Sequence, residues 1–333
     1  MRANSWCIVE PQERQTRLLF ELSGEHPGLP VAELACVGEV IEHRPQLAVA
    51  LCTDPGAAGR LAMTHVVLAY LGECEATRSA VDQLLQDLSL TSDRPFAARV
   101  KKVAGNRMNC PQGELERIIG NRISGPVSLE EPEEEFRLIV TEERCYLGRV
   151  LMHIDRGAYE RRRPGDRDFF HPGVMMPRVA RALVNISRIR PGERLLDPFC
   201  GTGGILLEGQ LLGLAGLGSD YDPLMVAGSR CNVPGTGLLV ADATLLPFKD
   251  ACVDAVVTDL PYGQSVTIRA VNLDQLYAEA LSEIRRVIRP GRRAVVVTHR
   301  DIRPLASGIL PLEQYFEQRV HKSLTRRVCV FRR

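Results

Sequence analysis

Four acids, Asp197, Asp220, Asp242 and Asp259, and the turns around them carry the chemistry legible in this chain. The run Asp197-Pro198-Phe199-Cys200-Gly201-Thr202-Gly203-Gly204 follows a short apolar stretch. Glycines at the carboxyl end of a strand let backbone approach a nucleotide-like ligand closely. A dinucleotide fingerprint would need a third glycine where Leu206 stands, and a phosphate-binding loop would need Gly-Lys-Ser/Thr, which is absent. What remains is a glycine turn opened by an acid. That suits a cationic ligand, and S-adenosylmethionine carries an ammonium and a sulfonium. Asp220 follows Gly203 at a separation from which a carboxylate reaches ribose hydroxyls. Asp242, at the end of a third strand, is placed to accept from an adenine amino group. Each acid alone could be a strand-end or capping residue, but three at successive strand ends make that reading poor. The candidate cofactor contacts are therefore Asp197, Phe199, Gly201, Thr202, Gly203, Asp220, Tyr221, Asp242 and Ala243.

Asp259-Leu260-Pro261-Tyr262-Gly263 closes a fourth apolar run. An acid and an aromatic on one short turn fit methylation of a base amino group. That nitrogen is a poor nucleophile because its lone pair is delocalised into the ring. A carboxylate and a backbone carbonyl accepting its two N–H bonds favour pyramidalisation and direct the lone pair at a sulfonium methyl. The ring of Tyr262 would hold the base by stacking, worth about 1–3 kcal/mol, and Pro261 would stiffen the turn. Asp259, Leu260, Pro261 and Tyr262 are the candidate catalytic residues; a plain strand-end turn with a surface tyrosine is the competing reading.

These groups need a scaffold that sets strand ends side by side. The second half predicts strands over residues 194–197, 215–220, 238–242, 253–259 and 294–298. Helices are expected near 205–212, 224–231 and 273–288, the last closed by Arg289-Pro290-Gly291. Alternating apolar strands and helices predict a parallel, doubly wound α/β sheet. Two β-like runs, 316–320 and 327–331, would add an antiparallel edge. The first half predicts small α+β modules, with strands over 18–22, 47–52, 96–103, 136–140 and 144–151 and helices over 31–36 and 80–88. The acidic run 130–135 reads as a solvated loop. The polar, basic run 159–167 reads as a linker able to touch phosphate.

Composition narrows the class. A chain of 333 residues exceeds the roughly 250–300 that one core supports, predicting two or three domains. Charged content of 25% with 45% hydrophobic residues predicts a folded protein. No apolar run is long enough for a membrane helix, and residues 1–15 lack a secretory h-region, so a soluble, cytoplasmic protein is expected. The formal net charge is +1, and all but four of the 42 basic residues are arginines. Arginine suits phosphate and base recognition, although a GC-rich genome gives the same bias. The ten cysteines are scattered without a Cys-x-x-Cys pair, so reduced thiols and no metal site are expected.

Asp197 to Gly204, Asp220, Asp242 and Asp259 to Tyr262 together resemble the motif series of class I S-adenosylmethionine-dependent amino-methyltransferases with a (D/N)PPY signature. Leu260 stands where that family has proline, and the backbone carbonyl contributed there survives the change. Phe169-Phe170-His171-Pro172-Gly173 and Met176-Pro177-Arg178-Val179-Ala180-Arg181 resemble the segment before the catalytic domain of THUMP-domain tRNA guanosine-N2 methyltransferases. Residues 96–102, 114–120 and 127–129 resemble the THUMP domain itself, and 320–327 resemble the family's closing run.

The resemblance implies a ferredoxin-like module (1–58), a THUMP RNA-binding domain (59–153), a linker (154–172) and a Rossmann-like methyltransferase domain (173–333). It adds Phe170 and His171 to the cofactor contacts and tRNA as partner; the THUMP-like first half argues against DNA, and no membrane partner is expected. Arg99, Lys101, Lys102, Arg161 and Arg162 become candidate RNA contacts, which could equally be a solvated face. Asp rather than Asn at 259 resembles enzymes of tRNA position 10 more than those of position 6. The expected products are N2-methyl- and N2,N2-dimethylguanosine. Three modules on one chain fit a monomer, and a small activator subunit is an open partner. Rival readings are N2-methylation at another tRNA or rRNA site, a DNA amino-methyltransferase, and a non-catalytic RNA-binding protein with a decayed fold.

Overall fold

The computed structural model describes residues 15–262, 272–321 and 324–333, so Cys7, Gly263, Lys322 and Ser323 lie outside the described residues. In chain order the elements are β1 (Thr16–Leu22), α1 (Leu29–Leu34), β2 (Glu39–Arg44), β3 (Leu47–Cys52), β4 (Thr64–Glu75), α2 (Arg78–Leu88), β5 (Phe96–Lys102), α3 (Gln112–Arg122), β6 (Glu134–Val140) and β7 (Arg144–His153). Then come α4 (Gly157–Glu160), α5 (Pro177–Ile186), β8 (Arg194–Asp197), α6 (Gly204–Gln210), β9 (Ala215–Asp220), α7 (Pro223–Asn232), β10 (Gly237–Val240) and β11 (Val253–Asp259). The chain closes with α8 (Leu273–Val287), β12 (Ile288–Thr298), α9 (Arg303–Ala306), β13 (Leu312–His321) and β14 (Leu324–Arg332). No helix among the described residues is long and apolar enough to cross a membrane.

Two compact units interleave along the chain. The first takes the described residues to Phe20, Val37–Ala58 and Val67–Leu151; the second takes Glu21–Cys36, Gly59–Val66 and Met152–Arg333.

The first seven strands form one continuous sheet in the order β2-β3-β1-β4-β7-β6-β5. In the first unit, β5 and β6 run parallel and β7 returns antiparallel to β6. Helix α2 starts where the Thr77 hydroxyl accepts from the Ala80 N–H, satisfying an orphan donor of the first turn. Val81 and Leu85, four residues apart, share its buried face, as Leu115 and Ile119 do on α3. Both helices close over Phe96 and Phe136, whose rings meet edge to face at 5.7 Å.

The second unit is the doubly wound sheet its strand pattern predicts, in the order β10-β9-β8-β11-β12-β14-β13. β10, β9, β8, β11 and β12 are parallel, and β14 and β13 form an antiparallel edge. β11 is buried along nearly its whole length, which is why it reads as an unbroken Val-rich run. The short segments 21–36 and 59–66 join this unit through Glu33. Its carboxylate is fully buried and accepts from the Ala62 and Met63 N–H groups and from Asn185 Nδ2 of α5, at 2.7–2.8 Å.

Several sequence expectations shift. β2 is exposed on most of its length, so it shows no apolar alternation to read. β4, α3 and α5 were likewise not legible as elements. Helix α8 stops at Val287, as the Arg289-Pro290-Gly291 stop signal predicts, and these three residues then form an irregularity within β12, Gly291 having φ +78°. β10 ends at Val240, so Asp242 lies beyond the strand. Glu134 and Glu135 open β6, with Glu134 bonded to Ser92 and Glu135 to Arg137, which corrects the solvated-loop reading there.

Candidate functional site

Strands β8 and β11 are neighbours although β9 and β10 lie between them in sequence. At such a reversal of strand order, the connections leave in opposite directions and open a crevice beyond the carboxyl ends. A cavity of about 500 Å³ occupies this place, within the usual range for small-ligand sites.

Asp197 ends β8 and is almost wholly buried. Its Oδ1 accepts from the Thr258 hydroxyl at 2.7 Å and the Phe199 N–H at 3.2 Å. Burial pushes it up to about 7, opposed by those two hydrogen bonds and reinforced by the neighbouring Asp220 and Asp259 charges. The glycine turn that follows needs positive φ at Gly201 (+49°) and Gly203 (+79°), a region disfavoured for residues with a Cβ. A Cβ at Gly203 would also lie 2.5 Å from Ser229 Oγ on α7.

Asp220 ends β9, its Oδ2 accepting from the Gly201 N–H and its Oδ1 from the Asp222 N–H, at 2.9 and 3.0 Å. Burial raises its pKa as well. Asp222 in turn caps α7 by accepting from the Leu224 N–H. Three shielded carboxylates at adjoining strand ends repel one another and favour a cationic ligand between them. The donor set therefore fits the ammonium and sulfonium of S-adenosylmethionine, and the bare glycines leave room for its close approach.

Asp259 ends β11, and burial pushes it up to about 6 against the pull of the Arg326 charge and the Tyr262 hydroxyl. Tyr262 donates to Asp259 Oδ1 at 2.9 Å, and its ring packs against His299 at 4.8 Å between centroids. The departure at Leu260 has a structural counterpart. Its side chain is a core residue beside Tyr277 and Leu281, and its N–H donates to the Val297 carbonyl. The Tyr277 hydroxyl donates to the Pro261 carbonyl at 2.5 Å. Packing and two hydrogen bonds hold the turn where a second proline would stiffen it.

Of the predicted residues, His171, Asp197, Phe199, Gly201, Thr202, Asp220, Tyr221 and the four from Asp259 to Tyr262 line the cavity. Phe170, Gly203, Asp242 and Ala243 do not. Asp242 Oδ1 instead accepts from the backbone N–H and hydroxyl of Thr244. Reading the sequence missed Cys200, Val174 and Met225 on the wall, and His299 and Arg326 beside the acid turn. Arg326 carried a signal, since it lies in the closing run that resembles the family's.

The candidate RNA contacts differ in their surroundings. Arg99 donates to the Leu129 carbonyl, and Lys102 to the carbonyls of Met108 and Cys110. Lys101 is exposed on the opposite side of β5 from Lys102. Arg161 pairs with Asp155 at the surface. Arg162 is held inward, donating to Glu208 and the Ala158 carbonyl and lying over the Tyr159 ring. The run read as a linker thus contributes buried Tyr159 and Pro164.

The cavity wall at residues 171–175 is tethered through Phe169. Asn232 of α7 accepts from the Phe169 N–H and donates to the Phe169 and Thr202 carbonyls, while the Phe169 ring covers Gly228. A Cβ at Gly228 would lie 2.2–2.4 Å from three ring atoms. Gly228→Ala is therefore expected to displace the ring and cost about 1–3 kcal/mol. Urea unfolding checks this, and an unchanged midpoint would show that the ring does not anchor the wall.

Residues 164–328 match the family model described as UPF0020: RMKL-like, methyltransferase domain. The chain is similar to the tRNA (guanine(10)-N2)-dimethyltransferase of Methanothermobacter thermautotrophicus, 34% identical over 339 residues, covering 95% of this chain and 99% of that one. It is also similar to the protein of the same name from Methanocaldococcus jannaschii, 28% identical over 356 residues with 94% and 99% coverage. Its fold matches the crystal structure of TrmN from Thermus thermophilus, with a TM-score of 0.53, 22% identity and coverage of 95% and 99%.

Proposed function

The chain belongs to the family of tRNA (guanine(10)-N2)-dimethyltransferases, and on that premise we propose that it methylates the exocyclic N2 of guanosine 10 in tRNA. S-adenosylmethionine is the methyl donor, and N2,N2-dimethylguanosine is the end product. The observation that carries the reading is the Asp259–Tyr262 turn, which faces the same cavity as the acids Asp197 and Asp220. In this reading, residues 1–58 and 59–153 are the ferredoxin-like and THUMP modules that engage tRNA, 154–172 connect, and 173–333 perform the transfer.

When bound, S-adenosylmethionine supplies an electrophilic methyl group on its sulfonium. Asp197 and Asp220 would hold the cationic and ribose parts of the donor, and the glycine turn would leave room for it. Asp259 and the Leu260 carbonyl accept the two N–H bonds of the guanine amine and turn its lone pair toward the cavity. Catalysis is then mainly orientation. As the new C–N bond forms, the sulfonium S–C bond breaks and the electron pair stays on sulfur, leaving S-adenosylhomocysteine; the methylated amine is then acidic, and Asp259 accepts its proton. A carboxylate raised to about 6 is a better acceptor than an exposed one yet remains mostly ionised at neutral pH. A paired guanosine must first leave its helix to reach the turn.

Tyr262 separates two roles. Tyr262→Phe removes the hydroxyl that lowers Asp259 and is expected to move the acidic limb of the kcat profile upward. Tyr262→Ala also removes the ring, and KM for tRNA is expected to rise roughly 5- to 100-fold. Identical profiles and KM values in wild type and both variants would remove Tyr262 from the site.

The function is tested with labelled S-adenosylmethionine and unmodified tRNA transcripts, followed by nucleoside analysis. Label is expected in N2-methyl- and N2,N2-dimethylguanosine, and is lost when guanosine 10 is replaced by adenosine. Label in methyladenosine or methylcytidine would overturn the guanosine assignment.

A further inference from the structure

Arg167 lies beside the cavity with nothing to bond. Its Nε, Nη1 and Nη2 are all shielded from solvent, and none has a hydrogen-bond partner. The guanidinium fills the space that a side chain at Gly204 would take: a Cβ there would lie 3.0 Å from Nη1, 3.8 Å from Nη2 and 3.7 Å from Val174 Cγ1. Gly204 and Val174 both line the cavity. The carboxylate in electrostatic range is Glu208, and other groups already occupy it. Glu208 Oε1 accepts from Arg162 Nε at 2.6 Å, and Oε2 accepts from Arg162 Nη2 and Arg181 Nε, both at 2.9 Å. Three guanidinium groups share one carboxylate, and the surplus falls on Arg167.

A shielded cation without a counter-charge is strongly unfavourable, and arginine cannot escape by losing its proton. Its planar fork matches a carboxylate. The charged cavity groups on the β8, β9 and β11 side are acids, Asp197, Asp220 and Asp259, so the cavity is negative there and has a spare positive charge behind the Gly204 wall. A dipolar ligand fits that polarity with its anionic end toward Arg167. We infer that Arg167 supplies the counter-charge for the α-carboxylate on the methionyl arm of S-adenosylmethionine, which rests on the methyl-donor reading above.

The test compares calorimetric binding of S-adenosylmethionine with that of its decarboxylated analogue, which keeps the ammonium and sulfonium and lacks only the carboxylate. The wild-type protein is expected to prefer the intact ligand by roughly 10- to 100-fold, as one charge-assisted contact predicts. Arg167→Met should abolish that preference by weakening only the intact ligand, and Arg167→Lys should keep part of it; thermal unfolding checks that both variants are folded. Equal affinities in the wild-type protein would overturn the proposal without any variant, and so would an equal loss of both ligands in Arg167→Met. Wild-type protein that binds neither ligand would overturn the methyl-donor reading itself, a distinct result that takes the proposal with it.

Discussion

Asp259→Ala is expected to lower kcat by about 10²–10⁴-fold, the range for a positioned group that also accepts a proton, while S-adenosylmethionine still binds. The loss falls on kcat because Asp259 engages the amine, whereas Asp197 and Asp220 remain to hold the donor. Single-turnover transfer to tRNA and calorimetric binding of the donor separate the two. Transfer at the wild-type rate would remove Asp259 from the mechanism. The wild-type pH profile carries the same signature. Asp259 must be ionised to accept the amine protons and is raised to about 6, so kcat is expected to fall as pH drops through about 6. An exposed aspartate would place that limb nearer 4.

The sign reverses for stability. A folded-state pKa above the unfolded value gives stability that is present below about pH 4 and lost as pH rises through about 6. Asp259→Asn is therefore expected to be more stable than wild type at pH 8, by on the order of 1–3 kcal/mol. The two proteins should converge near pH 4. The acid turn is destabilised at neutral pH by the group that the reaction needs.

Glu208→Ala is expected to be the most damaging change for the second unit. Glu208 is fully buried and accepts from both Arg162 and Arg181, and Arg181 is itself nearly buried. Its removal would leave Arg162 and Arg181 without the carboxylate that pairs with both. Breaking a buried ion pair from one side costs about 3–5 kcal/mol, which corresponds to a fall in Tm of roughly 10 °C. Differential scanning calorimetry measures it. Glu208→Gln keeps one acceptor oxygen, replaces the other with an NH2 donor and loses the charge, and is expected to fall nearly as far. Near-wild-type melting of both variants would mean that Arg162 and Arg181 are not neutralised through Glu208.

The reaction class and the strands that carry its residues were legible before any tertiary contact was known. The strands ending in Asp197, Asp220 and Asp259 were legible to the residue, because buried parallel strands are short apolar runs and polar strand ends stand out against them. The glycine turn was legible because two of its positions require positive φ. Tertiary structure decided what those ends face. That β8 lies against β11 follows from strand order, which no local pattern encodes, and it is this adjacency that places Asp197 and Asp259 on one cavity. It also decided which basic residues are spent inside the fold. Arg162 and Lys102 read as surface cations, but their partners Glu208 and the Met108 and Cys110 carbonyls become neighbours only on folding. Leu260 read as a lapse from the motif until its burial beside Tyr277 showed what stiffens the turn. The interleaved units were beyond sequence for the same reason. Glu33 joins segments 21–36 and 59–66 to α5 through hydrogen bonds spanning up to 152 positions, and periodicity reports only on near neighbours.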